Sequence, residues 1–89
     1  MKFVWDPAKA AENMRKHGVS FEAALHAFYD ELSATFPDPD HSLLEARLIT
    51  YGLGIDKKLL VISHTEHDET IRIISARFAT NNERKRYEA

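Results

Sequence analysis

The spacing of the apolar residues changes once along the chain, and this change limits the fold more than any other feature of the sequence. Phe21, Ala24, Leu25 and Phe28 follow the i, i+3, i+4, i+7 spacing of an amphipathic helix. After residue 32 that spacing stops, and short segments rich in β-branched and aromatic residues predict strands at residues 33–36, 45–51, 59–66 and 70–77. Helices that precede a run of strands are typical of an α+β domain with a mostly antiparallel sheet.

Capping residues mark the helices near the start of the chain. Asp6 is a typical N-cap, and Pro7 occupies the first helical position, where its missing N–H is tolerated. Gly18 can end this helix in the left-handed conformation, and Ser20 can cap the next one. The sequence therefore predicts a short strand at residues 3–5 and helices at residues 7–17 and 21–29.

A capping box marks the last element. Thr80 is followed three residues later by Glu83, and this pair predicts the start of a short C-terminal helix. The predicted order is β-α-α-β-β-β-β-α. We expect the two N-terminal helices to pack on one face of the sheet and much of the other face to stay open, which an antiparallel sheet tolerates.

Length and composition indicate one soluble domain spanning residues 1–89. A chain of 89 residues buries one modest core. It contains no cysteine, which is compatible with a reducing compartment, and no apolar run long enough to cross a bilayer or to form a signal peptide. We therefore expect a cytoplasmic protein with no membrane partner.

The charge is distributed unevenly along the chain. The net charge is −2, yet residues 71–89 contain five Lys and Arg against two Asp and Glu. Such asymmetry concentrates positive potential locally, as a phosphate ligand requires. A solvated terminal helix of mixed charge is the simpler interpretation.

Two arginines in the last predicted strand are the first candidates for a functional site. Arg72 lies inside the strand and Arg77 at its end. A regular strand would point them to opposite faces, so they share a face only if a bulge intervenes or if Arg77 lies beyond the pleated residues. Guanidinium groups suit phosphate binding. The alternative is structural, with Arg72 paired to Glu45 or Glu66.

Histidine and acidic residues of the neighbouring strand are further candidates. His64 and Glu66 share a face in the predicted alternation and form a candidate base–acid pair. They are equally compatible with surface polar residues before a turn. A metal site is a less favoured interpretation because no tight ligand spacing is present. Its ligands would come from His64, Glu66, His67 and Asp68, with His41, Asp38 or Asp40.

Three segments together resemble the BrnT family, the toxin half of BrnT/BrnA type II toxin–antitoxin systems. They are "FVWDPAKAAENMRKHGVSFEAA", "FPDPDHSLLEARLITYG" and "IRIISARFATNNERKRYE", which cover nearly the whole chain. Ala46 departs from the pattern, which has a charged residue there. The most specific matches are Trp5-Asp6 with Asn13 and Lys16-His17-Gly18, Asp40-His41-Ser42 with Glu45 and Arg47, and Ile73-Ile74-Ser75-Ala76-Arg77 with Glu83-Arg84 and Tyr87.

The resemblance implies a RelE-like α+β fold and a ribonuclease that arrests translation. It also implies neutralisation by a DNA-binding, BrnA-like antitoxin, with which the toxin represses its own operon. The resemblance therefore favours RNA as the ligand of the arginines. The chain would contact operator DNA only through the antitoxin, and no cofactor is implied.

On this hypothesis the RNA 2′-hydroxyl attacks the adjacent phosphate without a metal. Arg72 and Arg77 bind the phosphate and stabilise the transition state, with Arg47 as a third candidate. His64 or Glu66 acts as the general base.

The C-terminal helix would bind the RNA itself. Arg84 and Lys85 hold the RNA backbone, and Tyr87 stacks on a base or donates a proton. Two other classes remain open at this point. One is a non-catalytic antitoxin-binding or co-repressor module, whose acidic segment 30–45 receives a basic antitoxin arm; the other is a metal-dependent hydrolase.

Overall fold

The helices and strands follow one another in the predicted order. The computed structural model describes residues 1–41 and 45–88, so Ser42 lies outside the described residues. Within them lie five strands, three α-helices and one turn of 3-10 helix at Pro39–His41. The strands are β1 (Lys2–Val4), β2 (Ala34–Pro37), β3 (Leu48–Leu53), β4 (Leu59–His67) and β5 (Thr70–Phe78), and the helices are α1 (Pro7–His17), α2 (Phe21–Phe28) and α3 (Asn81–Glu88).

The caps read from the sequence are present. The Asp6 carboxylate accepts a hydrogen bond of 2.8 Å from the Ala8 amide, and Gly18 ends α1 with a φ of 70°. The Ser20 hydroxyl accepts one of 3.0 Å from the Ala23 amide at the start of α2. These contacts satisfy backbone groups that a helix end leaves without partners.

The sheet has the order β1-β5-β4-β3-β2. β1 pairs with β5 in parallel, and the other neighbours are antiparallel. The predicted α+β class with a mostly antiparallel sheet is therefore confirmed. The β4–β5 connection is a two-residue turn, because His67 still pairs with Thr70, while Asp68 and Glu69 have φ of 49° and 67°. Positive φ at both positions is the geometry of a type I′ hairpin turn.

The third strand lies later in the chain than predicted. β3 begins at Leu48, so Glu45 and Arg47 precede it, and it continues to Leu53 because Gly52 and Leu53 pair with β4. At Gly52 a side chain would collide with α2, because a Cβ would lie 2.3 Å from the carbonyl oxygen of Ala27. The absence of a side chain at Gly52 therefore allows close packing of helix and strand.

The core lies between the sheet and the helices α1 and α2. Its buried residues are Val19, Phe21, Ala24, Ala27, Leu60, Ile62, Ile71, Ile73 and Ala76. The side chain of Asn13 fastens α1 to the sheet. Its amide donates to the carbonyls of Val19 and Ala76, at 2.9 and 2.8 Å, and its oxygen accepts 3.0 Å from the Ala76 amide. β1 pairs with only three residues of β5, and Asn13 provides hydrogen-bond partners for the β5 backbone beyond them.

None of the described helices is long and apolar enough to span a membrane.

Candidate active site

A β-bulge in β5 brings Arg72 and Arg77 to the same face of the sheet. The register shifts between Ser63 and His64 of β4, and Ile74 is the extra residue of β5. Arg72 pairs with Thr65 and Arg77 with Val61, an even number of residues apart on β4. Directly paired residues point to one face, so both arginines leave the sheet on the face opposite α1 and α2. We call this the open face.

Each of these arginines contacts its own carboxylate. Arg72 is ion-paired with Glu45. The Arg77 guanidinium donates two hydrogen bonds to Glu83, at 2.8 and 2.9 Å. These bonds lower the pKa of Glu83 to about 2, against the opposing effect of burial, and they raise the pKa of Arg77.

Both guanidinium groups remain accessible despite these contacts. The side chains of Arg72 and Arg77 are 40% and 41% exposed. The Glu45 side chain is half-exposed too, and an ion pair at such a position contributes about 0–1 kcal/mol, because water screens it and two long side chains must be ordered. At Arg72 a phosphodiester can therefore replace the carboxylate at little cost in free energy.

Arg47 lies beside this region, in the segment that precedes β3. Its carbonyl accepts a hydrogen bond of 2.9 Å from the Asp38 amide. Glu45, two residues earlier, contacts Arg72. The structure thus brings the segment containing Arg47 to the same side of the sheet as Arg72.

His64 lies on the other face of the sheet. Its side chain is fully buried among core residues, with its ring 5.0 Å from the ring of Phe28. Its Nε2 lies 2.6 Å from the Thr50 hydroxyl, and burial lowers the pKa of His64 to about 4. His64 is therefore neutral at pH 7, and the structure does not bring it to the arginines.

Glu66 shares the face of His64, as the alternation predicts, but lies at the solvated end of β4. Its side chain is half-exposed, and its carboxylate oxygen lies 3.9 Å from Nδ1 of His64. The Nδ1 atom is buried and has no hydrogen-bond partner in the described part of the chain. Glu66 pairs with Ile71, on the core face of β5. The candidate base–acid pair of His64 and Glu66 therefore lies on the face opposite the two arginines.

The C-terminal helix is fastened at both ends. Glu83 in its first turn holds Arg77 and also accepts a hydrogen bond of 2.9 Å from the Thr80 amide, which completes the predicted capping box with the Thr80 hydroxyl. In its last turn the Tyr87 hydroxyl donates to Asp30. Burial, together with this carboxylate, raises the pKa of Tyr87 to about 12. Tyr87 is thus an anchor of α3, which is the structural alternative to the predicted contact with RNA.

The other two residues predicted to bind RNA lie on exposed positions of α3. The guanidinium of Arg84 approaches Glu88 at 3.8 Å, and Lys85 is exposed. The sequence analysis missed Lys57, Lys58 and Phe78, which line a groove beside Arg84. The signal was the Lys57-Lys58 pair in a turn, but nothing in the sequence placed that turn beside α3.

Among residues 1–41 and 45–88, no three His, Asp or Glu side chains are grouped so that they would hold a metal ion. The residues named for the metal alternative are thus not gathered into one site there.

These features define a class of small α+β domain, with one sheet face covered by two helices and arginines on the other. The family model for the ribonuclease toxin BrnT of type II toxin–antitoxin systems matches residues 5–83, and the chain belongs to this family. The predicted family is therefore confirmed.

A solved structure and the curated proteins were also compared with the chain. The 1.1 Å crystal structure of the Brucella abortus ribonuclease toxin BrnT is similar, with 25% sequence identity and a TM-score of 0.73. The match covers 91% of this chain and 99% of that chain. No curated protein matches the chain.

Proposed function

We propose that the chain is a metal-independent endoribonuclease, a single RelE-like toxin domain that acts in the cytoplasm and inhibits translation. The observation that carries the proposal is the bulge in β5, which puts Arg72 and Arg77 on one open face in a member of a ribonuclease toxin family. Guanidinium groups on one face supply the permanent positive charge that a phosphorane requires as its oxygens gain negative charge.

In the reaction, the RNA 2′-oxygen attacks the adjacent phosphorus as its proton passes to a base. The bond from phosphorus to the 5′-oxygen breaks, and that oxygen takes up a proton from water. The products are a 2′,3′-cyclic phosphate and a 5′-hydroxyl. Arg72 and Arg77 bind the phosphate and stabilise the transition state, and Arg47 approaches from the neighbouring segment.

The contacts of the arginines support one candidate for the general base. His64 is buried on the opposite face, and Glu66 lies beside it. Glu45 touches Arg72 on the open face and its side chain is half-exposed. A phosphate bound to Arg72 would displace Glu45 from the guanidinium and leave this carboxylate free to take a proton beside it. We therefore assign the proton acceptor to Glu45, in preference to His64 and Glu66.

The chain acts with a BrnA-like, DNA-binding antitoxin that neutralises it and forms the repressor of the operon with it. Three of the five carboxylates of segment 30–45 have partners inside the chain. Asp30 accepts from Tyr87, Asp38 binds His41, and Glu45 binds Arg72. A basic antitoxin arm would have to compete with these partners.

A non-catalytic antitoxin-binding module is the second candidate. The observation that favours it is that both open-face arginines are already paired with carboxylates, as in a purely structural ion-pair network. Inducible expression without antitoxin separates the two functions. We expect rapid growth arrest from the enzyme, and harmless expression would support the binding module.

The chemistry is tested on purified protein and RNA in excess EDTA. Cleavage should persist, and the new 5′ ends should accept phosphate from polynucleotide kinase without prior phosphatase treatment. Cleavage that stops in EDTA and returns with a divalent cation would instead indicate a metal-dependent hydrolase.

A further inference from the structure

A basic groove runs along the side of α3 that faces the β3–β4 turn. Lys57 and Lys58 of that turn, Phe78 at the end of β5 and Arg84 of α3 line it, and its volume is about 560 Å³. Arg86, on the other side of α3, lines a separate groove with Phe36 and Tyr51 of the open face. The basic groove is therefore distinct from the surface that holds Arg72 and Arg77.

Charge in this groove is opposite in sign to that of the chain. Three cationic side chains and one carboxylate, that of Glu88, line it, while the chain as a whole has a net charge of −2. Cations gathered in a concave surface focus positive potential there. An anionic polymer is the ligand that such a groove attracts.

An exposed aromatic ring lies among these cations. Phe78 is 43% exposed although it is large and apolar, and the ammonium of Lys58 lies 5.5 Å from its ring centroid. Exposed aromatic rings interleaved with basic residues bind single-stranded nucleic acid, because bases stack on the ring while the cations follow the backbone.

The turn accepts backbone strain at Lys57. Its φ of 62° lies in the left-handed region, where glycine or asparagine is favoured over lysine. The turn is closed by hydrogen bonds from the Lys57 amide to the Gly54 carbonyl, at 3.0 Å, and from the Gly54 amide to the Lys58 carbonyl, at 2.9 Å. A lysine is not favoured at this position of the turn, so we infer that Lys57 has a function in the groove that it lines.

We propose that this groove binds the RNA strand next to the cleaved linkage. Lys57, Lys58 and Arg84 contact the backbone, and a base stacks on Phe78. The groove adjoins the reacting region, since the Phe78 carbonyl accepts a hydrogen bond of 3.3 Å from the Arg77 guanidinium. The inference rests on the proposed RNA substrate, and it adds Lys57, Lys58 and Phe78 to the residues already expected to bind RNA.

The test uses a fluorescein-labelled, 20-nucleotide single strand with 2′-O-methyl groups throughout, which lacks the attacking hydroxyl. Its anisotropy is followed with the full chain between 50 and 200 mM KCl. The double variant Lys57→Ala/Lys58→Ala should lower the slope of log K against log salt by about 1.4, since each lost contact to a single strand removes about 0.7. The control is Lys9→Ala/Lys16→Ala on α1, which removes the same charge elsewhere and should leave the slope nearly unchanged.

Stacking is tested separately at Phe78. Phe78→Leu keeps the apolar volume but removes the aromatic face, and it should weaken binding roughly fivefold or more, whereas Phe78→Tyr should bind as the wild type does. An equal loss of RNA binding in the α1 control, or unchanged binding in the groove variants, would contradict RNA binding in the groove. If the wild type binds this strand through the groove but does not cleave unmodified RNA, the ribonuclease proposal is wrong and the proposal that the groove binds RNA is supported.

Discussion

The carboxylate of Glu83 receives two hydrogen bonds from the guanidinium of Arg77, at 2.8 and 2.9 Å. It also receives one of 2.9 Å from the Thr80 amide. One side chain therefore closes the capping box of α3 and binds Arg77, the next-to-last residue of the bulged strand. A ligand that takes Arg77 from Glu83 would therefore remove a contact between β5 and α3 and leave the capping box in place.

Titration of Glu83 tests this ion pair. Its folded-state pKa of about 2 lies below the ordinary value for a glutamate, near 4.3. The ion pair therefore stabilises the fold fully at pH values above about 4.3, and this stabilisation is lost as the pH falls towards 2. We expect Arg77→Gln to return the pKa of Glu83 towards 4.3, measured by ¹³C NMR of the carboxyl carbon. An unchanged pKa in that variant would contradict the pairing in solution.

The other end of α3 depends on Tyr87. Tyr87→Phe removes the hydroxyl that donates to Asp30, and hydrogen bonds to a charged group contribute about 1.5–3 kcal/mol. We expect faster amide hydrogen exchange in α3, with the sheet unaffected. The control is Tyr29→Phe, at an exposed tyrosine. If both variants exchange like the wild type, the anchor is absent.

Burial of His64 makes stability depend on pH. An unfolded histidine has a pKa near 6.5, whereas that of buried His64 is about 4, so the unfolded chain binds the proton first as the pH falls. Stability should fall by about 3 kcal/mol between pH 6.5 and pH 4, as followed by urea unfolding. His64→Gln should flatten this dependence, and His67→Gln, at an exposed histidine, should not. The same slope in all three proteins would refute the buried neutral state.

Asn13 should be necessary for stability. Asn13→Ala leaves two carbonyls and one amide without their partner, which should lower the free energy of unfolding by about 2–4 kcal/mol in urea. Asn82→Ala, at an exposed position of α3, is the matched control and should change it by less than about 0.5 kcal/mol. A small loss at Asn13 would mean that water replaces its contacts.

The parts of the fold that depend on neighbouring residues were predicted well. The caps Asp6 and Ser20 and the alternation in β4 involve contacts within a few residues, so the sequence contains them directly. The bulge at Ile74 was left open, because whether a strand skips a residue depends on its partner strand.

The candidate site was harder to predict for the same reason. The burial of His64 depends on Phe28 and Thr50, which are distant in the sequence. Of the two partners suggested for Arg72, the structure has Glu45 and not Glu66, since the face of each side chain decides the pairing. The groove of Lys57 and Phe78 exists only once α3 is in place.

The most direct measurement compares RNA cleavage and growth arrest for Arg77→Ala and Glu83→Gln. Both variants break the same ion pair, but glutamine retains the capping box and leaves the guanidinium in place. We predict that Arg77→Ala lowers the cleavage rate by at least about 100-fold and abolishes growth arrest, while Glu83→Gln remains active. Circular dichroism confirms that both are folded. Equal loss in the two variants, or full activity of Arg77→Ala, would contradict a catalytic role for the open-face arginines.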